Sequence, residues 1–96
     1  MIAPKIGFAV INGTHIHFEE AGSGAPLILL HGLGLNLHMW DDQFPQFAAH
    51  YRVIRYDLRG FGLSLPSTPT PFSHADDLKG LLDYFNIERA HVLGLS

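Results

Sequence analysis

Two short segments of this chain carry residue types suited to nucleophilic chemistry. The run Ala90-His91-Val92-Leu93 reads as a short buried strand and leads directly into Gly94-Leu95-Ser96. A Ser on a tight turn after a strand has its hydroxyl pushed clear of the chain path, and a small neighbour such as Gly94 avoids a clash. This is the first half of the G-x-S-x-G nucleophile elbow. Upstream, Pro26-Leu27-Ile28-Leu29-Leu30 runs into His31-Gly32-Leu33-Gly34. Gly32 and Gly34 allow the backbone to aim the Leu33 N–H at a site where negative charge develops on a carbonyl oxygen. One such donor is worth about 10²–10³ in rate. A Ser hydroxyl remains a poor nucleophile without a positioned base, so these segments are two parts of an acyl-transfer site.

The elements that must position them follow from periodicity. Phe8–Ile11, Asn12-Gly13 and Thr14–Glu19 read as a β-hairpin, because Asn-Gly suits a type I′ turn and the flanks alternate. Leu27–Leu30 has no polar alternation, as expected of a parallel strand covered on both faces. From Leu37 to His50 the apolar residues Met39, Trp40, Phe44, Phe47 and Ala48 have helical spacing, with Pro45 placing the regular start near Asp42 to Phe44. Tyr51–Tyr56 is a second parallel strand, and the Gly/Pro/Ser-rich stretch 60–70 is a loop. Ser73 opens a helix with the stripe Leu78, Leu81, Leu82 and Phe85, which Asn86 ends. The expected fold is α/β: an antiparallel hairpin, then parallel β-α-β-α-β with helices on both faces. If the second and third parallel strands flank the first, that strand is a topological switch point. Its carboxyl end and that of the third strand would then meet, bringing His31-Gly32 to Gly94-Leu95-Ser96.

Other residues have two readings each. Gly62-Leu63-Ser64 repeats the terminal tripeptide but follows a loop, so Ser64 reads as a turn or cap residue beside the pocket. His15 and His17 share one strand face; without a third ligand they read as surface histidines rather than a metal pair. Asp41-Asp42 and Asp76-Asp77 fall in first helical turns, where carboxylates favour the dipole. Trp40, Phe61 and Phe72 are candidates to line an acyl pocket, although core packing explains Trp40 equally.

The hydrophobic fraction of 47% suffices for one core in 96 residues. A net charge of −3 without any basic cluster argues against nucleic acid or an anionic membrane as partner. Zero cysteines exclude disulfides and thiolate chemistry. No N-terminal signal pattern or spanning apolar run is present, so a cytoplasmic protein is expected.

Together, Leu30-His31-Gly32-Leu33-Gly34, Trp40, Asp57-Leu58-Arg59-Gly60-Phe61-Gly62-Leu63-Ser64 and Gly94-Leu95-Ser96 resemble the N-terminal part of the α/β-hydrolases, across essentially the whole chain. The Asp-x-Arg-Gly-x-Gly-x-Ser segment is the most specific feature and is similar to segments of 3-oxoadipate enol-lactonases and small carboxylesterases. The resemblance implies Ser96 as nucleophile and an oxyanion hole shared between the Leu33 N–H and the residue after Ser96. His31, Gly32, Gly34 and Gly94 would shape the loops. It implies no cofactor and no metal, and an ester, lactone or thioester substrate; a C–C bond hydrolase is the rival within the fold. Epoxide hydrolases and haloalkane dehalogenases resemble the same pattern but use Asp at the elbow. The family's order is Ser, acid, His, which disfavours His31 as base and Asp57 as triad acid. Asp57 reads instead as a hydrogen-bonded or Arg-paired structural carboxylate. Residues 1–96 are thus expected to form the N-terminal portion of one domain, truncated at the nucleophile. The alternative is a non-catalytic product that self-associates through the edge strand carrying Val92 and Leu93.

Overall fold

A computed structural model describes residues 4–64 and 72–94. Strands β1 (Lys5–Ile11) and β2 (Thr14–Ala21) form the expected hairpin, and Asn12 and Gly13 adopt the positive φ angles of 49° and 81° that the tight turn needs. After β3 (Pro26–Leu30), the stretch expected as one helix divides into a 3-10 turn, Leu37–Trp40, and a short helix α1, Phe44–Ala48. Pro45 in the first turn of α1 lacks an N–H, so the regular ladder starts there. β4 (Arg52–Tyr56), α2 (His74–Tyr84) and β5 (His91–Gly94) follow; β5 is exposed along its length and not buried as expected, because among the described residues only β3 pairs with it. The Ser73 hydroxyl accepts from the Ala75 and Asp76 N–H groups and caps α2. At its other end Asn86 takes φ 57°, and the Ile87 N–H closes onto the Leu82 carbonyl.

The strands form one sheet in the order β1-β2-β4-β3-β5. β3 runs parallel to both β4 and β5 and lies between them, so it is the switch point. Alternation along the strands sorts the core onto two faces. Leu27, Leu29 and Val53 pack with Trp40, Phe44 and Ala48 beneath α1. Ile28, Ile54 and Tyr56 pack with Leu81, Phe85 and Ile87 beneath α2. The hairpin joins this sheet through β2, which pairs antiparallel with β4. To leave β2 and enter β3 on the far side of β4, the chain turns at Gly22 with φ 84°, pressed against the Ala48 and Tyr51 carbonyls.

The α1 face also holds a charge layer, in which Arg55 and Glu19 are buried and Asp41 is exposed. Arg55 donates to Glu19 at 2.7 Å and to Asp41 at 2.7 Å, and its guanidinium stacks 4.3 Å above the Phe44 ring. Asp41 therefore does not sit in a first helical turn as expected; it follows the 3-10 turn. Its hydrogen bond with Arg55, reinforced by one with His38, holds its carboxyl below the usual carboxylate range.

A β-carbon at Gly22 would lie 2.1 Å from the Tyr51 carbonyl oxygen, whereas one at Gly13 would meet nothing within 4 Å. Both glycines have left-handed φ angles. Gly13→Ala is therefore expected to cost about 1 kcal/mol and Gly22→Ala about 3 kcal/mol or more, measured by urea unfolding. Equal costs would mean that the crossing does not depend on this close approach.

The buried Tyr56 hydroxyl has no hydrogen-bond partner among the described residues. Burial, with Asp77 nearby, pushes its ionisation well above the ordinary phenol range. A raised folded-state value means stability is retained below the unfolded value, about pH 10, and lost as pH climbs past it. Tyr56→Phe should hold or raise stability at pH 7 and flatten the decline above pH 10. A clear loss at pH 7 would reveal a partner for the hydroxyl.

Candidate active site

The loop after β3 is built around a committed imidazole. His31 Nε2 accepts from the Leu58 N–H at 2.8 Å, so the ring proton resides on Nδ1, which donates to the Gly32 carbonyl at 2.8 Å. Both ring nitrogens are engaged, and the buried His31 shapes the loop, with the Phe61 ring edge-on at 5.7 Å. The Leu35 N–H closes a turn onto the Gly32 carbonyl at 3.2 Å, and Gly34 supplies φ 80° at the third position, the signature of a type II turn. Leu33 occupies the crest of this turn with its side chain 74% exposed. Its N–H has no acceptor among the described residues.

The pairing Leu30↔Gly94 sets the carboxyl ends of β3 and β5 side by side. The His31–Gly34 loop and the segment entering Leu95-Ser96 therefore leave the same edge of the sheet. A β-carbon on Gly94 would stand 3.3 Å from that of Leu30, a tight contact that glycine avoids. Leu95 and Ser96 themselves lie outside the described residues.

Asp57, at the end of β4, fastens the surroundings. Its carboxylate accepts from the Leu37 N–H at 2.7 Å, the Leu63 N–H at 2.9 Å and His17 Nδ1 at 2.8 Å. Together with the bond from Leu58 to His31, this ties both ends of the β3 loop to the segment 57–64. Ser64 is 1% exposed; its hydroxyl donates to the Asp57 carbonyl at 2.6 Å and accepts from the His17 N–H at 2.9 Å. That hydroxyl closes a turn and is withdrawn from solvent.

Three expectations change. His17 is buried, because mid-β2 lies against Asp57, whose N–H donates to the His17 carbonyl and whose carboxylate meets its ring; its neighbour on the same face, His15, is exposed. Arg59 does not pair with Asp57 but makes two bonds to Asp77, at 2.9 and 2.8 Å. Asp77 is accordingly a buried ion-pair partner and more than a dipole-favouring carboxylate. Trp40, 5% exposed, belongs to the core beneath α1 and not to an open pocket. Phe61 remains beside the loop, and Phe72 covers the Arg59 guanidinium at 4.8 Å. The roles of His17 and Asp77 are not legible in the sequence because their partners, Asp57 and Arg59, lie 40 and 18 residues away along the chain. Among the described residues no group of three or more His, Asp or Glu is placed to hold a metal ion, and no helix is long and apolar enough to cross a membrane.

The profile of the alpha/beta hydrolase fold family matches residues 25–96. This chain belongs to the alpha/beta hydrolase family. It is 37% identical over 89 residues to a soluble epoxide hydrolase of Corynebacterium sp. strain C12, covering 90% of this chain and 31% of the relative. It is 39% identical over 99 residues to the 2-hydroxy-6-oxo-6-phenylhexa-2,4-dienoate hydrolase of Comamonas testosteroni, covering 96% and 35%. Among solved structures, the enol-lactonase of Burkholderia xenovorans LB400 superposes with a TM-score of 0.84 at 36% identity, covering 94% of this chain and 37% of that one. The chain thus spans about a third of the length of these relatives.

If Asp57 anchors the loop as described, Asp57→Asn should lower stability by about 2–3 kcal/mol and speed amide exchange at Leu37 and Leu63. The exposed Lys79–Asp83 pair supplies the control, because Asp83→Asn should change stability by less than about 0.5 kcal/mol. Unchanged exchange at Leu37 would remove Asp57 from this role.

Proposed function

We propose that this chain supplies the nucleophile and one oxyanion donor of a serine hydrolase acting on an ester, lactone or thioester. The observation that carries the reading is the Leu30↔Gly94 register, which sends the loop whose Leu33 N–H has no acceptor among the described residues, and the segment leading to Ser96, off the same sheet edge. In this reading Ser96 Oγ attacks the substrate carbonyl carbon while its proton passes to a histidine base. The carbonyl oxygen, now negative, accepts from the Leu33 N–H. Collapse expels the alcohol or thiol and leaves an acyl-enzyme that water hydrolyses.

The base is assigned to additional chain. The family's order of Ser, acid, His places the base after Ser96, and the two histidines beside the loop are engaged, His31 through both ring nitrogens and His17 on Asp57. The 96 residues alone are then expected to lack Ser96-dependent turnover. Epoxide hydrolysis is the activity named for one relative, but the residue at the elbow position here is Ser96, not the Asp which that chemistry uses in the family pattern. C–C bond hydrolysis is the second reading and would use the same Ser96. The partner is a small molecule, with no nucleic acid and no membrane required, and the proposed compartment is the cytoplasm.

Fluorophosphonate labelling of the polypeptide that carries this segment together with its acid and histidine tests the assignment. Labelling should survive Ser64→Ala and vanish with Ser96→Ala. Labelling that depends on Ser64 would overturn it.

A further inference from the structure

We propose that strand β1 is a self-pairing edge, through which two copies of this chain join antiparallel about a two-fold axis at Phe8. Among the described residues β1 has one strand neighbour, β2. In a hairpin closed by a two-residue turn, the flanking pair, here Ile11↔Thr14, exchanges both backbone bonds, and bonded pairs then alternate. Lys5, Gly7, Ala9 and Ile11 therefore face β2 with their N–H and C=O groups, while Ile6, Phe8 and Val10 direct theirs outward. The same three residues carry their side chains on the uncovered α1 side of the hairpin, 59%, 51% and 64% exposed. Their neighbours in sequence, Ala9 and Ile11, are buried in the core beneath α2.

Polar backbone groups awaiting partners and apolar side chains awaiting cover thus occur at the same positions. That combination is the property of an edge that recruits a strand. What suits it to a second copy is its symmetry. Pairing about Phe8 sets Phe8 against Phe8 and Ile6 against Val10 in both directions, with about six new N–H···O=C bonds. The one charge on the strand, Lys5, falls at opposite ends of the ladder, roughly 20 Å from its symmetry mate, so like charges do not meet. Pro4, which has no N–H, ends the ladder just before it. The rival edge, β5, has four residues against the seven of β1. A strand pair is small beside the ~1,600 Å² of a standard interface, so the expected dimer is weak and concentration-dependent.

Two measurements on the 96-residue chain decide the matter. Amide hydrogen exchange across a dilution series should slow at Ile6, Phe8 and Val10 as concentration rises, while Gly7 and Ala9, already bonded to β2, stay unchanged. In sedimentation equilibrium, Phe8→Lys and Phe8→Glu should each weaken the dimer at least tenfold, an equimolar mixture of the two should recover association, and Val92→Lys should have no effect. The proposal is overturned by a monomer at all concentrations, by concentration-dependent protection at Val92 and Leu93 instead, or by β1 amides protected equally at every dilution.

Discussion

A carboxylate removed from water at the end of a strand has to be met by donors, and the way Asp57 is met organises this molecule. An unpaired buried charge would cost several kcal/mol, yet Asp57 receives two backbone N–H groups and an imidazole, from Leu37, Leu63 and His17. These donors come from three separate stretches of chain: the end of the β3 loop, the turn after β4, and β2. Satisfying one charge therefore gathers the hairpin and both loops around the carboxyl ends of the parallel strands. The Leu33 turn inherits its position from this arrangement. It is held at one end by the His31 ring and at the other by the bond to Leu37, before any substrate arrives.

Much of the frame was legible because its signals are local. Asn12-Gly13 specifies a turn through its backbone angles, the unbroken apolar run of β3 signals burial on both faces, and Ser73 with the Leu78/Leu81/Leu82/Phe85 stripe delimits α2. The switch point at β3 was expected on the condition that the second and third parallel strands flank the first, a condition that the order β4-β3-β5 meets. What stayed hidden was long-range. No residue near β2 announces that it pairs with β4 and not β3, and the device that permits it is a contact of Gly22 with carbonyls more than twenty residues away. His15 and His17 look equivalent by alternation, but only His17 lies over the end of β4. Asp76 and Asp77 look equivalent as helix-start acids, but only Asp77 meets Arg59. Strand period assigns a face, and the depth along that face is set by tertiary packing. For the candidate site, the β3 loop and the approach of Gly94 to Leu30 were read from motif and winding, whereas the clamps on that loop were not.

The division between frame and chemistry explains why relatives named as an epoxide hydrolase, a 2-hydroxy-6-oxo-6-phenylhexa-2,4-dienoate hydrolase and an enol-lactonase all align with nearly the whole of this chain. The aligned third is concerned with holding backbone amides and a turn at fixed places. Such a platform is indifferent to which bond is broken, and function resides in the groups set upon it.

Gly62 carries a consequence of its own. A β-carbon there would stand 2.3 Å from the Asp57 carboxyl carbon, and its φ is 53°. The small residue in Gly62-Leu63-Ser64 thus exists for the acid five positions earlier, not for the serine two positions later. Positions 57 and 62 are sterically coupled: with the acid in place, a side chain at 62 would displace its carboxylate, and the left-handed φ at 62 favours glycine in addition. In a pattern scan the two Gly-Leu-Ser tripeptides of this chain are indistinguishable, yet only the first would be expected to co-vary with an upstream aspartate.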